Sequence, residues 1–326
     1  MAVIGDCVDR DAVVADLMCG TGSVAAALRQ NGYRVVAADM MTFAYLHARV
    51  RLTFARAPRF SVFGGYERVI ELLNSLEPTP GYYHREYSPA GTPKADVAPR
   101  GYFTAANAGR LDAITVTLRR WRNEGALSEP EDVLLRHDLV LAANRIANIA
   151  GTFGHFRSKW SSSSTAVLSL IPSDFSGRAS TNHIVMQGRV EALASQVTAD
   201  LCYLDPPYTK RQYAANYHLP ETIARGDEPP AVGISGLRPW RDQYSDFCSK
   251  LRVRDSLRTV ITTIDCPRIL LSYSEDGLLS RADMQAFLSE FGDVEVIEIR
   301  GKRFRSQRES SASRDVTEFV FDLRRV

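Results

Sequence analysis

Residues 13–39 read VVADLMCGTGSVAAALRQNGYRVVAAD. Val13 to Met18 is a short apolar run broken by one acid, Asp16, and it meets a glycine turn at Cys19-Gly20-Thr21-Gly22. A run that is apolar at consecutive positions predicts a parallel strand buried on both faces. Ser23 to Gln30 predicts a helix that stops near Gly32. Arg34 to Asp39 is a second buried strand closing on an acid, and Thr42 to Phe54 reads as another helix. Strand, turn, helix and strand within about 30 residues open a doubly wound α/β sheet.

Further along, the texture changes. Pro78, Pro80, Gly81, Pro89, Gly91, Pro93 and Pro99 mark an irregular stretch. Leu111–Glu124 and Glu131–Ala150 predict helices, and 151–165 predicts a loop containing four consecutive serines. Apolar strands are expected to resume at Ala166–Ile171, His183–Met186, Ala199–Leu204 and Arg268–Tyr273. A helix is expected over Arg281–Phe291, followed by a β-hairpin of Val294–Arg300 with Val316–Leu323. The predicted organisation is a sheet domain from residues 1–60 and 165–326, a mostly helical insertion at 61–164, and a small second insertion at 220–256.

Composition limits the function classes. The chain is 45% hydrophobic and 24% charged, as expected of a globular protein. No run of about 18 apolar residues predicts a membrane span. Met1 to Asp11 lacks the basic-then-apolar order of a signal peptide, so a cytoplasmic location is expected. The five cysteines are scattered without a CxxC pair, which predicts reduced thiols and no metal site. A net charge of +2 is uninformative, because a nucleic-acid enzyme needs a local basic face and not a basic total. Local clusters stand at Arg119, Arg120 and Arg122, at Lys210 and Arg211, and at Lys302, Arg303 and Arg305. Each is also readable as a merely solvated face.

Two motifs carry chemistry. In Asp16-Leu17-Met18-Cys19-Gly20-Thr21-Gly22, the glycines let the backbone approach a ligand where a side chain would collide. Asp39, about 20 residues on, is placed to accept hydrogen bonds from both hydroxyls of a ribose. A third glycine in dinucleotide spacing and a Walker lysine are both missing, which favours a smaller adenosyl ligand over NAD or ATP. The second motif, Asp205-Pro206-Pro207-Tyr208, follows the apolar strand Leu201–Leu204. Two prolines fix φ and donate no hydrogen bonds, so the loop is stiff and its carbonyls stay open. The Asp205 carboxylate and Pro206 carbonyl suit the two hydrogens of an exocyclic amine, and Tyr208 suits the ring that bears it.

With these two motifs the chain resembles the alpha-type DNA adenine-N6 methyltransferases of the D12 class. Similar segments extend over most of residues 13–323. They include Gly101-Tyr102-Phe103-Thr104, Leu111-Asp112, Asn148-Ile149-Ala150-Gly151-Thr152-Phe153-Gly154, Arg211-Gln212-Tyr213, Asn216-Tyr217-His218, Ser245-Asp246-Phe247 and Leu271-Ser272-Tyr273-Ser274. The resemblance implies a Rossmann-like class I S-adenosylmethionine-dependent sheet with a helical, DNA-contacting insertion. It implies cofactor contacts from Asp16, Met18, Cys19, Gly20, Thr21, Gly22, Asp39 and Met40, with S-adenosylhomocysteine as the spent product. It implies catalysis by Asp205, Pro206, Pro207 and Tyr208 on an adenine flipped out of double-stranded DNA. Candidate nucleic-acid contacts are Arg157, Lys159, Lys210, Arg211, Arg238, Lys302, Arg303 and Arg305.

The chain departs from the family pattern twice. The family's Gly-x-Lys segment precedes the glycine turn by more than the 15 residues that lie before Asp16 here. Arg189, in Gln187-Gly188-Arg189, stands where an acid facing the cofactor's adenine is expected. A modification enzyme with a partner restriction nuclease, or an orphan methylase, is the expected role. An RNA adenine methyltransferase and a weakly catalytic DNA-binding subunit are the alternatives.

Overall fold

The computed structural model describes all residues except 95–96, 176–181, 303–314 and 326, and leaves the side chains at 2, 300–302 and 315–316 undescribed. The chain forms two compact units. The first comprises Met1–Thr53, Ala179–Tyr213 and Gln243–Val326.

This first unit is built on a seven-stranded sheet. Its strands are β1 Val13–Asp16, β2 Arg34–Asp39, β3 Ile184–Gln187, β4 Leu201–Leu204, β5 Arg268–Ser274, β6 Gly292–Lys302 and β7 Asp315–Arg325. They lie in the order β3-β2-β1-β4-β5-β7-β6. The first five in sequence are mutually parallel, and β7 enters antiparallel between β5 and β6. This is the expected Rossmann-like class I architecture.

Side-chain alternation explains why these strands read as continuous apolar runs. Ala15, Leu17, Val36, Cys202, Leu204, Ile269, Leu271 and Phe321 face one buried layer. Val14, Val35, Ala37, Leu201, Leu270 and Val320 face the other. Helices Val253–Thr263 and Arg281–Leu288 contribute to the first layer, and Ser23–Gln30 with Thr42–Thr53 to the second. Both faces are therefore covered, as a parallel sheet requires.

The second unit comprises Phe54–Arg178 and Ala214–Asp242. The stretch read as a helical insertion, 61–164, falls inside it. Its two longest helices are Ala105–Asn123 and Glu129–Ile146. Thr104 caps the first by accepting the Asn107 N–H at 3.2 Å. Glu131 reaches back to the Ser128 N–H at 2.8 Å at the start of the second.

Residues 166–171 are not the strand that their apolar character predicted. Leu168 and Leu170 are indeed buried between exposed neighbours. Their backbone groups, however, bond to side chains of helices and not to a sheet. Asn107 brackets Ala166 O and the Leu168 N–H at 2.8 Å each. Asn74 takes both polar groups of Leu170, and Arg110 donates to Leu168 O. Side-chain amides here supply the hydrogen bonding that a neighbouring strand would give. Among the described residues, no helix is long and apolar enough to cross a membrane.

Candidate active site at the strand switch point

The chain builds outward from β1 in one direction, through β2 and β3, and from β4 in the other, through β5. Strands β1 and β4 are therefore the switch point of the sheet, with Asp16 in register with Tyr203. Loops leaving such a pair diverge to opposite faces and open a crevice at their carboxyl ends. Here those loops are 17–22 and 205–208, so the two sequence motifs emerge side by side.

The glycine turn is held by β2. Cys19 N–H donates to Ala38 O at 3.0 Å, and Gly20 N–H donates to Asp39 Oδ2 at 2.9 Å. Met41 N–H donates to Asp39 Oδ1 at 2.8 Å. Asp39 thus fixes the turn while standing at the strand end where a ribose acceptor was expected. The two glycines serve different ends. Both have left-handed φ, +51° at Gly20 and +71° at Gly22. A Cβ at Gly22 would lie 3.4 Å from Cα of Ala48, so Gly22 admits the neighbouring helix. A Cβ at Gly20 would meet nothing within 4 Å, so Gly20 faces open space.

Asp16 dominates the electrostatics. It is only 1% exposed, and neither carboxylate oxygen has a hydrogen-bond partner. Its pKa is pushed up to about 8, chiefly by burial and then by the negative charges of Asp205 and Asp39, while the Ala25 backbone amide acts weakly the other way. Asp205 reaches solvent, yet the protein packed around it disfavours the charge. Burial first, and Glu318 second, raise its pKa to about 6. Three carboxylates from β1, β2 and β4 thus converge on one crevice. Cys19 beside them is held well above the ordinary thiol range by burial and then by Asp16 and Asp39, so it remains a neutral thiol.

The diproline loop is anchored through Tyr208. Its carbonyl accepts the Leu278 N–H at 2.9 Å, and its ring meets Tyr273 of β5 edge-on, with centroids 6.1 Å apart. Pro206 is buried, and among the described residues nothing donates to its carbonyl. Just beyond, Gln212 pairs its amide with the backbone of Ser245, donating to the carbonyl at 3.0 Å and accepting the N–H at 2.8 Å. Gln243 donates to Met40 O at 3.3 Å. Segment 243–245 therefore links the exit of β2 to the stretch that follows the diproline loop. Sequence reading missed both this link and Glu318. No local signal marks either, because Glu318 sits on β7 and approaches Asp205 only through the β4–β5–β7 pairing.

The D12 class N6 adenine-specific DNA methyltransferase family model matches residues 1–287. The chain belongs to that family. Modification methylase StsI of Streptococcus sanguinis is 31% identical over 320 residues, covering 96% of this chain and 48% of the relative. Type II methyltransferase M.FokI of Planomicrobium okeanokoites is 32% identical over 332 residues, covering 99% and 50%. Type II methyltransferase M.NlaIII of Neisseria lactamica is 30% identical over 298 residues, covering 91% and 85%. The chain spans about half the length of the first two.

The remaining expected residues of this D12-class chain divide clearly. Arg189 does not stand open at the end of β3. It donates to Tyr244 O and pairs with Glu191 at 3.1 Å and Asp246 at 3.5 Å, so it ties the strand exit to segment 244–246. Arg238, expected at DNA, is corrected: it is 4% exposed and bound to Asp227 at 3.0 and 2.8 Å and to Thr222 at 3.1 Å. A guanidinium so enclosed braces the fold through both terminal nitrogens, and its unpartnered Nε is buried out of a phosphate's reach. His218 is fully buried, with Nε2 3.0 Å from Phe153 O, and burial lowers its pKa to about 3. Lys210 and Arg211 are exposed in the first unit, and Arg157 and Lys159 in the second. Arg303 and Arg305 lie outside the described residues, and Lys302 is described only in its backbone pairing with Asp315.

Proposed function

We propose that this chain transfers a methyl group from S-adenosylmethionine to N6 of adenine in DNA. The observation that carries the reading is the adjacency, at one switch point, of a glycine turn beside the buried, unpartnered Asp16 carboxyl and a stiff acid-diproline-tyrosine loop. The donor set fits the cofactor's chemistry. A buried carboxyl with two unpartnered oxygens, beside two further acids, gives up its proton most readily to an incoming cation, so the crevice favours a cation over a polyphosphate. S-adenosylmethionine carries an ammonium and a sulfonium, whereas NAD and ATP carry phosphates.

Asp16 would hold the cationic end, Gly20 gives the backbone room to lie against it, and Asp39 with Met40 would receive the ribose and adenine. When bound, the cofactor supplies an electrophilic methyl on sulfur. The chain's own contribution is geometric and electrostatic. Asp205 and the Pro206 carbonyl accept the two N–H bonds of the adenine amine. Its nitrogen lone pair, otherwise delocalised into the ring, is thereby turned toward the methyl. Tyr208, fixed by Tyr273 and Leu278, gives the base a ring to stack on.

The exposed cations Arg157, Lys159, Lys210 and Arg211 suit phosphate contacts. The second unit then supplies DNA contacts through Arg157 and Lys159, as the first does through Lys210 and Arg211. The relatives' names support a modification role, with a partner restriction nuclease or without one, and genomic DNA as substrate implies a cytoplasmic location. Incubation with labelled S-adenosylmethionine and unmethylated genomic DNA, followed by nucleoside analysis, tests the reading. N6-methyladenine in DNA is expected. Its absence, or label entering only an RNA control, refutes it.

A further inference from the structure

The hairpin at 231–237 presents an isoleucine that folding leaves in water. Val232 and Leu237 exchange both backbone hydrogen bonds at 2.8 Å, and Gly236 N–H reaches Gly233 O at 3.1 Å. Ile234 at the tip is 72% exposed and Val232 is 59% exposed. Single exposed apolar residues are ordinary on a surface. What sets this one apart is how firmly its backbone is held.

Arg100, wholly buried, donates to the carbonyls of Gly233 at 2.9 Å, Ile234 at 3.1 Å and Ala231 at 3.4 Å. Its charge is balanced by Glu86 at 3.1 Å. Tyr87 Oη donates to Gly236 O at 2.7 Å. Gly236 has φ of +68°, and a Cβ there would lie 2.8 Å from the Tyr87 ring and 2.9 Å from Arg100 Nε. Burying a guanidinium is unfavourable unless its donors are matched, and here backbone carbonyls of an exposed tip match them. The fold thus holds the tip rigid while leaving its side chain unburied.

The neighbouring surface is cationic. Tyr102 Oη lies 2.9 Å from Phe153 O and 3.1 Å from Ser235 O, bracing the tip against the loop that carries Phe153. His155 Nδ1 lies 3.3 Å from Ser235 Oγ. That loop exposes Arg157, Lys159 and Trp160, and residues 149–171 contain no Asp or Glu. The acids nearest the hairpin in sequence are neutralised, Asp227 by Arg238 and Glu228 by Arg119. A preorganised apolar tip beside free cations and without opposing acids is the arrangement of a side chain that wedges between stacked bases while its neighbours grip phosphates.

We propose that Ile234 is such a wedge. It enters the stack of bound duplex DNA and occupies the space of a base that has left it, while Arg157 and Lys159 hold the backbone. This inference rests on the DNA-methylation reading above and adds to it a residue outside both motifs.

The test begins with sequencing of methylated host DNA, which gives the modified site. A duplex carrying that site is made with 2-aminopurine at the target adenine, whose fluorescence rises when it unstacks. Wild type should raise the signal. Ile234→Ala should lose at least fivefold of that rise while binding S-adenosylmethionine as wild type does. The loss should disappear on a duplex with an abasic position opposite the target, where the stack is already weak. Ile234→Trp, a second exposed substitution, should show tryptophan quenching on the intact duplex. A full 2-aminopurine rise with Ile234→Ala, a deficit that persists on the abasic duplex, or an unquenched tryptophan overturns the wedge alone. A wild-type protein that methylates no DNA overturns the functional reading, and the wedge with it.

Discussion

Replacing Asp16 with asparagine should stabilise the ligand-free protein, and increasingly so as pH rises. The carboxyl is buried, unpartnered and held at about pKa 8 against an ordinary value of 3.8. An acid with a raised folded pKa keeps its proton in the native state while the unfolded chain releases it. Between pH 5 and pH 8 the native state therefore binds more protons, and stability falls as pH rises, by about 1.4 kcal/mol per unit. Over that window the full effect is about 4 kcal/mol. Asp39 and Asp205 create part of the shift, so a gain of about 2–4 kcal/mol for Asp16→Asn at pH 8 relative to pH 5 is the expectation. Urea unfolding of both proteins without cofactor, at unit pH steps, measures it. The same substitution should weaken S-adenosylmethionine binding at least tenfold by calorimetry, since asparagine cannot ionise against the cofactor's cations as proposed for Asp16. A stability difference that stays flat with pH, or an affinity that does not fall, would refute the account of Asp16 as a buried, protonated carboxyl that ionises against a bound cation.

Other consequences are simpler to check. Asp205→Ala should abolish methyl transfer in a filter assay while leaving cofactor affinity within about threefold by calorimetry, because its partner is the base. In the wild type, kcat/KM should fall about tenfold per pH unit below pH 6, as Asp205 takes up a proton and loses its acceptor character. Asp112→Ala in the second unit should lower stability by at least about 3 kcal/mol in a urea titration. That side chain accepts the N–H groups of Gly81, Tyr83 and His84 at 2.9, 2.7 and 2.8 Å, and alanine leaves all three without their acceptor.

Local physics explains what could be read from the amino acids alone. Strands β1, β2 and β4 are short runs buried on both faces, and consecutive apolar residues announce that without knowledge of neighbours. Left-handed turns need glycine, so Gly20 and Gly22 mark the bend, and two prolines make 205–208 stiff in any context. The resemblance to the D12 family rests on these same local features. Residues 166–171 show where such reading ends. Their apolar character is real, but whether it belongs to a sheet depends on what supplies the backbone partners, and here Asn74 and Asn107 do so from distant helices.

The same holds for charge. A lone Arg238 in sequence looks available to a phosphate, yet packing encloses it with Asp227, and Arg189 is spent on segment 244–246. The turn, the stiff loop and the buried strands were determined by the sequence itself, through backbone sterics and apolar periodicity acting over a few residues. Only the tertiary structure decided the order of strands, the convergence of Asp16, Asp39 and Asp205, the approach of Glu318 and the rigidity of the Ile234 tip. Those depend on burial and on charges brought together from positions far apart in the chain, and no short-range pattern encodes them.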